Sequence, residues 1–100
     1  MPALHTFNKS KSDSNLMQSC CDALASDDIL LLIEDGVYNA TSPLHADLQA
    51  RIESGLKVYV RALDVVARGL ETSILPGMIL VADSEWLELC IQHQPLVSWY

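Results

Sequence analysis

One hundred residues make one domain, residues 1–100, able to bury about two-thirds of its unfolded surface. Half are apolar and 19% are charged, which excludes a disordered chain. The net charge of −7, from 13 acidic and 6 basic residues, excludes strong direct binding to nucleic acid, which needs basic groups to displace phosphate counterions.

The chain alternates short apolar runs with helical periodicities. Ala3–Phe7 reads as a strand. A polar loop follows, and Asp13 or Ser14 can cap a helix that runs to about Ala25. Ile29–Ile33 is a second strand, and its unbroken apolar character suggests burial on both faces, as in a parallel sheet. Glu34-Asp35-Gly36 ends it. Ser42 and Pro43 suit the N-cap and first position of the next helix, whose stripe is Leu44, Leu48 and Ile52. Gly55 stands where a glycine ends a helix. Leu56–Val60 is a third strand, and a short helix around Leu63–Arg68 ends at Gly69. Met78–Ala82 is a fourth strand. Asp83 or Ser84 opens a last helix through about His93, and the terminal LVSWY is a fifth strand or a subunit contact. Such alternation implies an α/β domain with a parallel sheet and helices on both faces.

No apolar run approaches the ~18 residues that cross a bilayer. The first fifteen residues lack the apolar core of a signal peptide, so a cytoplasmic chain with reduced thiols is expected. Its three cysteines, an odd number, also argue against a disulfide framework. On the first helix Leu16, Cys20, Ala23 and Leu24 share a stripe, with Cys20 near its middle and Cys21 near its edge. Periodicity therefore makes Cys20 the more buried thiol, and a buried free cysteine behaves as a small hydrophobe. A reactive thiol needs exposure and a neighbouring cation or helix N-terminus. Cys90 shares a last-helix stripe with Trp86, Leu87 and Ile91 and reads as core or interface.

Zinc sites space paired ligands two to four residues apart. Adjacent cysteines on a helix do not fit, so no metal is expected. His5, His45 and His93 fall on separate elements and read as surface or boundary residues, although the first strand and first helix can bring His5 near the cysteines. Glu34 and Asp35 lie at the strand edge where α/β sheets hold ligands. They read first as a strand-ending turn in which Gly36 supplies backbone freedom. Arg68-Gly69 reads as a helix end. No phosphate-binding glycine loop is present, which argues against a nucleotide cofactor.

Taken together, LHTFNKS, Ser19-Cys20, LLLIEDGVY (30–38), KVYVRALDVVARG (57–69), PGMILVAD (76–83) and the final SWY resemble the DsrH/TusB family nearly end to end. The order and spacing of these blocks carry the likeness, since none is decisive alone. The resemblance implies a single-domain DsrE-like, flavodoxin-like fold and no cofactor. It implies a heterohexamer with DsrE/TusD-like and DsrF/TusC-like subunits, two copies of each, which relays persulfide sulfur. The route leads through a TusA upstream and a DsrC/TusE-like acceptor downstream, toward tRNA wobble-uridine 2-thiolation or dissimilatory sulfur oxidation. No direct contact with nucleic acid or membrane is expected of this chain, and it is not an enzyme in isolation. The family's cysteine, where a member has one, matches Cys20, making Cys20 the candidate catalytic residue as a secondary persulfide carrier. The alternatives are a structural, docking subunit that carries no sulfur, and an independent enzyme at Glu34-Asp35.

Overall fold

A computed structural model describes residues 2–100. Five strands form one parallel sheet: β1 Leu4–Phe7, β2 Ile29–Leu32, β3 Lys57–Arg61, β4 Ile79–Val81 and β5 Leu96–Trp99. Their order is β4-β3-β2-β1-β5. The central strand β2 is buried along its whole length, which is why ILLL shows no alternation. Four helices connect the strands: α1 Ser14–Ala23, α2 Ala46–Glu53, α3 Ala62–Ala67 and α4 Asp83–Gln92.

The period-2 geometry of the strands separates two cores. On one face Phe7, Leu30, Leu32, Val58 and Val60 pack with Met17, Cys20 and Cys21 of α1, Leu48 of α2 and Val65 of α3. On the other, Leu4, Ile29, Leu31 and Val81 meet Trp86, Leu89 and Cys90 of α4. The first face is the fuller, and α4 contains no buried residue.

Local chemistry explains most helix ends. Asp13 Oδ1 accepts the Leu16 amide at 3.2 Å and caps α1. The Glu85 carboxylate accepts the Ala82 amide at 2.9 Å and closes the start of α4. Gly55 and Gly69, at φ 108° and 66°, take the left-handed conformation expected of glycine after a helix.

Two expectations need correction. The second helix does not start at Ser42-Pro43. Lys11 Nζ donates to the Thr41 and Pro43 carbonyls at 2.8 and 2.9 Å, holding that stretch as loop. The helix begins at Ala46 instead, capped by His45, whose Nδ1 accepts the Asp47 amide at 3.1 Å. The segment after β2 is not a bare turn but a 3-10 helix, Glu34–Ala40. Within it the positive φ belongs to Glu34, at 50°. Gly36 is required for a different reason: a Cβ there would collide with the Phe7 carbonyl. On the last helix, whose stripe was read as core or interface, Trp86 and Cys90 pack against the second core, while Leu87 and Ile91 are 63% and 69% exposed.

Candidate functional site

Chemistry in this chain concerns first the thiols. All three are free. Cys20 and Cys21 are 0% and 1% exposed in the first core. The stripe that buries Leu16 and Met17 against the sheet carries Cys20 inward, and Cys21 goes with it because α2 covers its flank; the Cys21 thiol lies 3.8 Å from the Met17 sulfur. Burial pushes the Cys20 thiol up to about 12, with the neighbouring Cys21 adding to the rise. Burial likewise raises Cys21 to about 11, with Asp47 and Asp22 adding and Arg51 opposing. Thiolates are the nucleophiles of sulfur transfer, and both sites disfavour them. Cys90 is the thiol that reaches the surface in part, and desolvation raises it too, against a lowering contact from Trp86.

Among the described residues no hydrogen bond joins a cysteine to a histidine. His5 is buried rather than at a boundary, and both ring nitrogens are occupied. The Trp99 indole donates to Nδ1 at 3.0 Å. An indole nitrogen only donates, so the proton sits on Nε2, which donates to Asp28 Oδ2 at 3.0 Å. Asp28 also accepts the amides of Ala3 and Ala25 at 2.8 and 2.9 Å. Burial opposes its ionisation, yet these donors together hold it below the ordinary aspartate range. The result ties β5, β1 and the turn before β2 together. No periodicity signals it, because its members are 23 and 94 residues apart in pairs.

At the C-terminal edge of the sheet, charges pair off. Arg61 grips Asp83 with Nε and Nη2 at 2.9 and 3.1 Å, reaches Asp64 at 3.3 Å, and lies over the Trp86 ring at 5.3 Å. Arg68 donates to Asp35 at 3.0 Å and to Asp64 at 3.5 Å. Asp64, buried, also accepts the Glu34 amide at 2.7 Å. The hydrogen bonds to Asp83 raise Arg61 and lower Asp83 in return. The EDG and ARG blocks thus meet through Arg68 and Asp64. Asp35 is a partner in an ion pair, and the backbone of Glu34 is anchored at the start of the 3-10 helix, an arrangement that supports a structural junction rather than an acid–base pair. Sequence spacing could not show this junction, since Asp35 and Arg68 are 33 residues apart. Among the described residues, no group of three or more His, Cys, Asp or Glu side chains is placed to hold a metal ion, and no helix is long and apolar enough to cross a membrane.

Comparison with known proteins agrees with the family named by the resemblance. The family model for DsrH-like proteins matches residues 9–96. Proteins named TusB are similar over 96% of this chain and 99% of their own length: 28% identity in Pectobacterium carotovorum subsp. carotovorum, 32% in Buchnera aphidicola subsp. Acyrthosiphon pisum and 29% in Escherichia coli K12. Among solved structures, the protein of unknown function MTH1491 from Methanobacterium thermoautotrophicum superposes with a TM-score of 0.74 at 14% identity, over 96% of each chain. The ychN protein of E. coli does so with a TM-score of 0.70 at 14% identity, over 99% of this chain and all of that one. At that identity the likeness speaks for the fold alone, the flavodoxin-like α/β sheet. With its family model matched over residues 9–96 and TusB relatives aligned nearly end to end, the chain belongs to the DsrH/TusB family of sulfur-relay subunits.

Proposed function

We propose that the chain is a cytoplasmic, non-autonomous subunit of a heterohexameric sulfur relay, and that its own part is to complete and shape the complex. Its partners are DsrE/TusD-like and DsrF/TusC-like subunits, and sulfur leaves the complex for a DsrC/TusE-like acceptor. Family membership supports the relay. The observation that carries the structural role is the state of Cys20: fully buried, with its thiol pushed up to about 12. A sulfur donor must touch the attacking thiolate, and this sulfur is closed in between α1 and the sheet. The acidic surface fits a subunit that leaves RNA to others. Of the two outlets, tRNA wobble-uridine 2-thiolation is preferred over sulfur oxidation as the more widespread in the family.

A second reading keeps Cys20 as a secondary persulfide carrier. The family resemblance, which implies that Cys20 stands where members of the family that have a cysteine carry it, favours this reading, and it requires α1 to open when the complex forms. Relay activity of the purified complex separates the two. With Cys20→Ser, sulfur flux equal to wild type supports the structural subunit. Lost flux in an intact complex, with sulfane sulfur found on Cys20 of the wild type by mass spectrometry, replaces it with the carrier. Failure of wild-type chain to co-purify with the two partner subunits overturns the complex itself.

A further inference from the structure

The second face of the sheet is unfinished. One helix, α4, crosses it, and this helix buries none of its residues completely. Leu87 and Ile91, four apart and so on one stripe, are 63% and 69% exposed, and Ile79 and Leu96 on the two edge strands are 40% and 55% exposed. By register Ile79 pairs Tyr59 and Leu96 pairs Leu4, which places both on the α4 side. Depressions flank the helix. One of about 300 Å³ is lined by Asp83, Trp86, Leu87 and Cys90. Another of about 420 Å³ runs past Asp27, Lys57, Tyr59, Leu89 and His93, so that it carries one lysine beside its acids. Exposed apolar side chains on α4 beside a concave site lined by Leu87 are what a buried protein contact is made from.

Charge indicates which partner. α4 carries Asp83, Glu85 and Glu88 and no basic residue. Asp83 is neutralised by Arg61 and Glu85 is spent on the Ala82 amide. Glu88 lies exposed beside Leu87 without a hydrogen-bond or salt-bridge partner among the described residues. An isologous contact would set this acidic helix against its own copy, where like charges oppose association. An anionic membrane surface is disfavoured for the same reason. The other exposed apolar group, Leu63 and Val66 on α3 with Leu80 of β4 on the same side of the sheet, adjoins Arg61 and Arg68, whose charges are already paired; it offers no sign to select a partner.

We infer that the outer face of α4, centred on Leu87 and Ile91, docks a non-identical protein subunit whose contact surface is apolar with a basic rim. The inference rests on the relay-complex reading and names the face through which the chain joins it. A stripe of two apolar side chains flanked by an acid supplies affinity from its centre and orientation from its edge.

The test is co-purification of the full chain with the DsrE/TusD-like and DsrF/TusC-like subunits, with circular dichroism and thermal melting of each variant chain alone. Leu87→Lys with Ile91→Lys is expected to melt as the wild type does and to weaken association at least about thirtyfold, the loss of a hot-spot contact. Glu88→Lys is expected to weaken it about two- to fivefold at low salt, and less at high salt. Retention of the Leu87/Ile91 variant at wild-type affinity overturns the proposal while leaving the complex intact, as does loss confined to a Leu63→Lys, Val66→Lys pair. A wild-type homodimer dispersed by the Leu87/Ile91 change shows that the occupant is a second copy, and also overturns it. If the wild type itself does not associate, the relay-complex reading falls first and this inference with it.

Discussion

The two faces of the sheet make opposite use of the same kind of residue. On the α1–α2 face, Phe7, Leu48, Val58, Val60 and both neighbouring cysteines are closed from solvent. On the α4 face, Leu87, Ile91 and Leu96 stand in it. The first face supports the fold of the isolated chain. The second holds apolar surface that folding alone leaves exposed, and it is there that a partner contributes most. Side-chain hydrophobicity does not distinguish the two; the number of helices laid over each does.

Mutations can break or sharpen that contrast. The largest effect is expected from Phe7→Ala, which leaves a cavity in the closed face and costs about 3–5 kcal/mol. The matched change Leu87→Ala on the open face stays within about 0.5 kcal/mol. Urea unfolding of the isolated chain measures both, and similar losses would abolish the distinction between the faces. Next comes Gly36→Ala. Its new methyl meets the Phe7 carbonyl, which is backbone and cannot swing aside, so about 1–3 kcal/mol is expected, as for other overpacked sites. An unchanged urea midpoint would show that the 3-10 helix can shift away.

A somewhat smaller loss, about 1–2 kcal/mol, is expected from Trp99→Phe, which keeps the ring but leaves the buried His5 Nδ1 without its donor. Amide exchange in β5 should rise with it, since the indole bond is one of the ties between that strand and β1; protection equal to wild type would place the tie elsewhere. The smallest effect at neutral pH is that of thiol ionisation. The folded chain holds Cys20 and Cys21 near about 12 and about 11, above the ordinary thiol value of 9.0. Between those limits the unfolded chain has released protons that the folded one retains. The stability these thiols contribute is therefore complete below about pH 9 and falls as pH rises toward 11–12. Cys20→Ala with Cys21→Ala should flatten that decline in urea titrations at successive pH values. Thiol labelling of the native wild type near pH 8 should report Cys90 ahead of the other two; early labelling of Cys20 would mean that α1 opens.

Much of the fold was legible because local signals agreed with the global one. ILLL is apolar on both sides because β2 is the middle strand, and the glycines at 55 and 69 lie beyond helix ends, where a left-handed residue is needed. The expectations that failed did so where a distant part of the chain overrode a local preference. Lys11 took the carbonyls around Ser42-Pro43, and the helix starts at Ala46 with His45 as its cap. Phe7, far off in the chain, explains Gly36 better than any turn does. In the candidate site, periodicity placed Cys20 inside and the structure agrees. It also placed Cys21 at an edge, where α2 covers it completely.

The sequence by itself determined the order of elements, the parallel sheet, the family and the burial of Cys20, because hydrophobic period, capping residues and block spacing are local properties of the chain. Only the tertiary structure decided that His5 is bound between Asp28 and Trp99, that Asp35 and Asp64 share Arg68, and that Leu87 and Ile91 face outward. Each depends on which elements lie side by side, and a periodic stripe shows that a helix has an apolar face without showing what, if anything, covers it.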